Sequence, residues 1–141
     1  MLNLRGALFY LRKYMMNTVK RVVVAGCRDY TNYQEAKEFI DYCISNIRTD
    51  NRIIIVSGGA KGADTLGERY ARENGLNIER YIPDWEKFGK RAGPKRNREM
   101  AKICDFVICF WDGKSLGTKS MIESAKLFNK PLRIKQIYNT H

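Results

Sequence analysis

The sequence predicts an α/β fold: a single doubly wound domain with a mainly parallel five-stranded sheet and helices on both faces. From residue 21 onward, short runs of branched apolar residues alternate with longer segments of helical periodicity, the arrangement that produces a parallel sheet. The runs lack polar alternation, which is typical of strands covered on both faces. The chain has 141 residues, 44% of them hydrophobic, which is enough to bury one core.

Each element of the first half has a local signature. The first strand is predicted over 22–25, which is VVVA, and the second over 53–56, which is IIIV. The helix between them, over 33–47, has apolar residues at three- and four-residue spacing along one face. A second helix is predicted over 63–74 and ends before Gly75, a residue that suits a helix C-terminus.

The second half continues the alternation. A third strand is predicted over 77–82 and a fourth over 106–111. The helix between them is predicted over 94–103, because Pro94 suits a first helical turn. The last helix and a short fifth strand are predicted over 117–129 and 132–134. In sheets of this kind, ligands bind at the carboxyl ends of the strands, where the strand order reverses.

The N-terminal segment, 1–18, does not follow the pattern, so the domain is expected over 19–141. Met16 precedes a short polar lead into the first strand, which favours a weakly ordered extension or a translated leader. The alternative is an extra amphipathic helix. Four apolar side chains can share one face of such a helix: Leu4, Leu8, Leu11 and Met15.

The composition argues against several classes of protein. No uncharged apolar run approaches the roughly 20 residues of a membrane helix, and the run at 6–11 is too short for a signal-peptide core. We therefore expect a cytoplasmic protein with no membrane partner. The four cysteines show no CxxC spacing and are expected to be mostly buried, reduced thiols. Because the single histidine is His141, we expect neither a metal site nor a cofactor.

The chain is strongly basic, with a formal net charge of +11. Positive charge concentrates in the segment 87–102 and again from Lys126 onward. Such a balance favours an anionic partner, either a nucleotide or a nucleic acid. Charge alone fits a basic, well-solvated surface equally well.

Four loops follow the carboxyl ends of predicted strands: GCRD, SGGAKGAD, PDWEKFGKRAGPKRN and WDGKSLGT. The topology rule brings all four to one edge of the sheet. The candidate ligand-binding residues are Gly26, Arg28, Asp29, Ser57, Gly58, Gly59, Lys61, Gly62, Asp64, Asp84, Trp85, Arg96, Asn97, Asp112, Gly113, Gly117 and Thr118.

The second and fourth of these loops place glycines between a strand and a helix. Backbone amides at such a helix start can hold an anion. The second loop lacks the Lys and Ser/Thr of a Walker motif and is not a GxGxxG turn. The occurrence of two such loops on neighbouring strand ends favours a phosphate-binding edge.

Individual candidates also have explanations that need no ligand. A glycine-rich turn can be only a tight turn, Asp64 can complement a helix dipole and Thr118 can cap a helix. Arg96, expected to open its helix, can offer a planar fork to a phosphate or lie exposed at the surface. Trp85 can stack on a base or anchor its loop in the core.

Taken in order, GCRD, VSGGAKGAD, PDWEKFGKRAGPKRNREM and CDFVICFWDGKSLGT resemble the signature blocks of the YspA-like family of the SLOG superfamily, named after the SMF/DprA and LOG proteins. The resemblance covers about 21–134. It implies a Rossmann-like domain that binds a nucleotide or nucleotide-derived ligand at the loop edge. The residues it assigns to phosphate contact are Gly58, Gly59, Gly62, Gly117 and Thr118. It also matches two pairs to family positions: Arg28 with Asp29, and Arg96 with Asn97.

The chain is more distantly similar to the LOG enzymes, phosphoribohydrolases that cleave a nucleoside monophosphate into base and ribose phosphate. Their RK–M–D–PGGxGTxxE pattern places Arg96 on the catalytic arginine. Ser120 stands where their catalytic glutamate is expected, Glu123 is the nearest acid, and Cys27 replaces a frequent hydroxyl residue. Glycosidic cleavage needs a carboxylate, so the catalytic residues are unknown, with Asp64 and Arg96 as candidates.

Three functions stay open. The preferred one is a module that binds or senses a nucleotide or nucleotide-derived signal, and a homodimer is compatible because related folds often dimerise through helices. The second is a nucleotide N-glycosidase in which Asp64, Asp29 or Asp112 replaces the missing glutamate. The third is single-stranded nucleic-acid binding, suggested by DprA's place in the superfamily and by the charge, with Trp85 and Phe88 as stacking aromatics.

Overall fold

The computed structural model describes residues 3–15 and 18–138. Its centre is a five-stranded, all-parallel sheet with strand order β3-β2-β1-β4-β5. The strands are β1 (Val19–Gly26), β2 (Arg52–Ser57), β3 (Asn77–Arg80), β4 (Phe106–Trp111) and β5 (Leu132–Gln136). The predicted α/β class, with a parallel five-stranded sheet in one doubly wound domain, is confirmed.

Helices connect the strands in the alternating pattern that the sequence predicts. The helices are α1 (Leu4–Met15), α2 (Tyr33–Asp50), α3 (Ala63–Glu73), α4 (Trp85–Phe88), α5 (Ala92–Ile103) and α6 (Leu116–Leu127). A short 3-10 turn, Gly89–Arg91, joins α4 to α5. Within the described parts of the chain, no helix is both long and apolar enough to cross a membrane.

Two apolar layers cover the two faces of the sheet. On one face, α2 and α3 pack on alternate residues of the central strands, with Ile40 and Tyr70 fully buried. On the other face, α5 and α6 supply Met100 and Met121 to a second cluster. Because β1 is covered on both sides, Val22, Val23 and Val24 are all inaccessible to solvent, which explains the absence of polar alternation in its sequence.

The N-terminal segment forms a helix, α1, over Leu4–Met15. The helix fits the alternative expectation for 1–18, while Met16 lies outside the described residues and the division of the chain at 18/19 stays a prediction. The side chains of Leu4, Leu8 and Leu11 are exposed.

The strand order places the reversal between β1 and β4. From β1 the chain moves to β2 and β3 on one side, then returns to β4 and β5 on the other. The helices α2 and α3 lie on one face of the sheet, and α5 and α6 lie on the opposite face. This arrangement opens a crevice at the carboxyl ends of β1 and β4.

Candidate functional site

A cleft of about 470 Å³ lies at this reversal point. It begins at the end of β1 and is enclosed by the loop after β2, by α4, by the first turns of α5 and by the start of α6. Its charged lining residues are two arginines and two aspartates: Arg28, Asp29, Asp64 and Arg96. The volume falls in the range of ordinary small-molecule sites.

The floor of the cleft is organised by Arg96. Its Nη1 donates to the carbonyl oxygens of Gly58, at 2.5 Å, and Tyr81, at 3.2 Å, while Nε donates to Asn97 Oδ1 at 3.1 Å. Burial lowers the pKa of Arg96, the negative charge of Asp64 opposes that change, and Arg28 reinforces it. The guanidinium therefore ties the ends of β2 and β3 to α5.

Asp64 lies in the first turn of α3 and is only 5% exposed. Its Oδ2 accepts the Ala60 N–H at 3.3 Å. Burial raises the pKa of Asp64, although the Ala60 amide, the Arg96 charge and the Gly58 backbone act in the opposite direction. Asp64 therefore lines the cleft and also accepts a backbone amide of the SGGAKGAD loop.

Two further amides of the SGGAKGAD loop also donate hydrogen bonds to groups of the protein. The Gly59 N–H donates to Ser57 Oγ at 3.0 Å, and the Ala63 N–H donates to the Cys27 carbonyl at 3.1 Å. Ser57 Oγ in turn donates to Glu68 at 2.7 Å. The amides of Gly59, Ala60 and Ala63 are thus already bonded within the protein, so these three do not form an open phosphate cradle.

Two of these glycines allow backbone and side chains to approach closely. A Cβ on Gly58 would lie 2.7 Å from Arg96 Cζ and 2.9 Å from Asp64 Oδ2. Gly62 has φ +77°, and a Cβ there would collide with the backbone of Cys27 and Arg28. These positions hold the loops after β1 and β2 together.

The start of α6 forms another side of the cleft. Asp112 accepts the amides of Lys114 and Ser115, at 2.9 and 2.8 Å, which folds the turn before the helix and lowers the pKa of Asp112. Asn97 Nδ2 reaches from α5 to Ser120 Oγ at 3.1 Å and to the Gly117 carbonyl at 3.4 Å. Asn97 therefore links the floor to the first turn of α6.

One wall of the cleft is aromatic. Trp85 begins α4 and is 50% exposed. It therefore does not anchor its loop in the core, which is the alternative explanation for this residue. Asp84 caps this short helix by accepting the Lys87 N–H at 3.1 Å. A Cβ on Gly93 would lie 3.3 Å from the edge of the indole, which places the ring against the start of α5.

Nine of the predicted site residues line the cleft together: Gly26, Arg28, Asp29, Asp64, Trp85, Arg96, Asn97, Gly117 and Thr118. The other eight lie outside its lining: Ser57, Gly58, Gly59, Lys61, Gly62, Asp84, Asp112 and Gly113. Several of these eight support the cleft through the hydrogen bonds described above. Whether any of the seventeen contacts a ligand stays a prediction.

The prediction that Arg96 opens its helix is wrong. The 3-10 turn Gly89–Arg91 runs directly into α5, which begins at Ala92. Arg96 therefore lies in the second turn of α5, and its fork is directed at protein carbonyls.

Sequence reasoning did not identify several lining residues, including Ala25, Ala60, Gly93, Pro94, Met100, Ser115, Leu116 and Met121. Met100 and Met121 also belong to the apolar cluster under α5 and α6. Their helical spacing predicts a core position, so the sequence does not indicate that they also line the cleft. Leu116 offered a usable signal, because the sequence shows a large apolar residue next to the predicted helix start. In the structure this residue is 79% exposed.

The doubly wound sheet and the crevice at its reversal point place the chain among Rossmann-like α/β proteins. Within that class, the chain belongs to the SLOG family described as YspA, cpYpsA-related, whose model matches residues 20–88. The match includes the loops after β1 and β2 and ends at the last residue of α4. The predicted family assignment is thus confirmed.

A relative and two solved structures extend the comparison. The chain is 36% identical over 91 residues to the gene 61 protein of Mycobacterium phage D29, which covers 60% of this chain and 73% of that protein. It superposes on DNA processing protein A (DprA) of Streptococcus pneumoniae with a TM-score of 0.63 and 23% identity. That likeness, which shows the fold, covers 85% of this chain but only about half, 51%, of the pneumococcal chain.

The second structure is DNA processing protein A from Helicobacter pylori, with a TM-score of 0.61 and 25% identity. The likeness covers 89% of this chain and 70% of that one. The structure of the Helicobacter protein was described for its single-stranded DNA binding mode.

Proposed function

We propose that the cleft binds a nucleotide or a nucleotide-derived phosphorylated ligand. The observation that carries the proposal is the meeting of three features in one cleft at the strand reversal: cationic side chains, an exposed tryptophan and an uncapped helix start. Membership of the SLOG family supports the same function.

The start of α6 has the properties of a phosphate subsite. The first intrahelical bond runs from the Lys119 N–H to the Ser115 carbonyl at 3.1 Å, so the amides of 116–118 precede it. Ser115 makes no side-chain capping bond, and no acid lies in the first turn. The positive end of the helix dipole is therefore not neutralised by the helix itself.

Trp85 provides a surface for the other end of such a ligand. Its half-exposed indole lines the cleft and is available for stacking on a planar base. A nucleotide would combine this apolar stacking with a phosphate at the start of α6.

The test is isothermal calorimetry with the mono- and diphosphates of the four common ribonucleosides. We expect at least one to bind, and Gly117→Asp to weaken it at least thirtyfold, because the new carboxylate would stand where the phosphate binds. A Cβ at Gly117 meets no atom within 4 Å, so the fold should tolerate the change. Gly117→Asn is the matched control of equal size without charge. Absence of binding by the parent protein would refute the proposal.

A second candidate, single-stranded nucleic-acid binding, is favoured by the likeness to the Helicobacter protein and by the net charge of +11. Lys87 and Lys102, which are exposed, and Lys95, which is partly exposed, flank the cleft segment. Lys95 forms an ion pair with Glu99. A nucleic-acid surface would lose affinity by similar steps at each lysine-to-alanine change, with a steep salt dependence. Such losses on an oligonucleotide, with no nucleotide bound, would select this candidate.

A further inference from the structure

Among the described residues, the lining of the cleft contains two cationic side chains, those of Arg28 and Arg96. Both were matched to family positions from the sequence, and Arg96 was expected to offer its fork to a phosphate. The two residues differ in their hydrogen-bond partners and in their exposure, and this difference indicates different roles.

Arg96 is already engaged by the protein. Two carbonyl oxygens and one amide oxygen accept its Nη1 and Nε protons, and the buried carboxylate of Asp64 lies close enough to act on its charge. These bonds occupy Nε and Nη1, so a ligand phosphate could use only Nη2 unless it displaced a protein partner. It would also enter the negative field of Asp64, which is held in place by the Ala60 amide.

Arg28 combines a fixed backbone with an exposed side chain. The loop after β1 is anchored by the Cys27 N–H, which donates to the Phe110 carbonyl at 3.0 Å, and by the Cys27 carbonyl, which accepts the Ala63 N–H. Gly62 packs directly on the Arg28 carbonyl. Arg28 is an exposed residue of the cleft lining, so its side chain can turn toward a ligand without breaking the bonds that form the floor.

We infer that Arg28, rather than Arg96, makes the charged hydrogen bonds to the anionic group of the ligand, and that Arg96 is a positioning residue for the floor. This inference rests on the proposed function and specifies how its site recognises charge. Asp29 lines the same rim, so the local charge there is balanced rather than strongly positive, and a planar fork gives more specificity than charge alone.

The experiment compares Arg28→Ala, Arg28→Lys and Arg96→Lys with Arg52→Ala at one ionic strength. Arg52 is exposed at the amino-terminal end of β2, the opposite edge of the sheet, so its variant removes one charge without touching the cleft. The probes are the nucleotide of the ribonucleotide panel that binds the parent most tightly and its unphosphorylated nucleoside. Calorimetry gives the affinities, and urea denaturation gives the stability of each variant.

We expect Arg28→Ala to lose about 10- to 100-fold in nucleotide affinity, with no change in the denaturation midpoint and no loss for the nucleoside. Arg28→Lys should recover part of the affinity, because it restores the charge without the fork. Arg96→Lys should lower the denaturation midpoint while the folded variant keeps most of its preference for the phosphorylated probe.

The inference is overturned if Arg28→Ala binds the nucleotide as tightly as Arg52→Ala, or if Arg96→Lys abolishes the preference for phosphate with stability intact. In either case the parent still binds the nucleotide, so the proposed function stands. Failure of the parent to bind any nucleotide of the panel is a different result, because it refutes the proposed function and this inference with it.

Discussion

Replacing Arg96 by alanine should destabilise the whole domain, and the structure allows the loss to be estimated. The change removes the hydrogen bonds to the Gly58 and Tyr81 carbonyls and to Asn97. It also leaves the carboxylate of Asp64, which is 5% exposed, without its nearby cation.

Arg96 and Asp64 act on each other without an ion pair shorter than 4.0 Å, so the cost of about 3–5 kcal/mol for breaking a fully buried ion pair is an upper bound for this contribution. Each lost bond to a charged donor costs about 1.5–3 kcal/mol. Arg96 is only partly buried, so water replaces some of these bonds, and Asp64 keeps the Ala60 amide. We therefore expect a loss of about 2–4 kcal/mol in the free energy of unfolding. That is a large part of the roughly 5–15 kcal/mol that stabilises a typical domain.

The measurement is urea denaturation of the Arg96→Ala variant at neutral pH. Lys95→Ala is the control on the preceding residue, which is partly exposed and pairs with Glu99, and it should cost less than about 0.5 kcal/mol. The double variant Arg96→Ala, Asp64→Asn should recover part of the loss, because it removes the orphaned charge. A loss below about 1 kcal/mol for Arg96→Ala would refute the positioning role.

The same argument predicts the sign of the pH dependence. Burial raises the pKa of Asp64 above its ordinary value of 3.8, so its ionised form is disfavoured in the folded state. For an acid with a raised folded-state pKa, the cost is present above that pKa and is relieved as the pH falls through it. The penalty of Arg96→Ala should accordingly be larger at neutral pH than in mild acid.

Three other outcomes are expected. Gly67→Ala should destabilise the domain by about 1–3 kcal/mol despite alanine's better helix propensity, because its Cβ would lie 2.7 Å from Val24 Cβ; an unchanged denaturation midpoint would contradict this. Burial opposes ionisation of Glu68, but the bonds from Arg80 and Ser57 outweigh it and lower the pKa, so this carboxylate's stabilisation should be lost as the pH falls below its ordinary value of 4.5. A weaker acid dependence in Glu68→Gln tests that sign, and equal acid dependence would refute it. Nucleoside monophosphates incubated with the protein should release no free base above background, because Ser120, which lines the cleft, stands where the resemblance to the LOG enzymes places their catalytic glutamate; chromatographic detection of turnover that depends on Asp64 would overturn this.

Much of the fold follows from local pattern. The fourth strand has the predicted bounds, Phe106–Trp111, because its branched and aromatic residues are flanked by a polar residue on each side. The 15 residues from Pro83 to Asn97 were less predictable, since a four-residue helix and a 3-10 turn have no periodicity to detect. Their structure depends instead on the Asp84 cap and on the contact between Trp85 and Gly93.

The site was predicted as a set of loops but not as a geometry. The rule that the loops after parallel strands lie at one edge of the sheet was enough to bring Arg28, Trp85, Arg96 and Thr118 together, and the structure places them in one cleft. Which donors are already satisfied depends on side-chain directions that a linear sequence does not contain. Asp64 was correctly placed at a helix start, yet nothing in its spacing shows that its carboxylate turns back to the Ala60 amide.

The direction of the Asp64 carboxylate also affects which part of the cleft carries positive electrostatic potential. The helices α3 and α6 both begin at the carboxyl edge of the sheet, on opposite faces. Each carries the equivalent of about half a positive charge at its N-terminus. Neither helix has a side-chain cap. At α3 that charge is offset by the Asp64 carboxylate in the first turn, whereas at α6 the carboxylate of Asp112 lies before the helix and accepts the Lys114 and Ser115 amides, so the amides of 116–118 stay without an acid in their turn. An anionic ligand would therefore be drawn toward α6 and the rim at Arg28, and away from the glycine loop whose sequence first suggested a phosphate site.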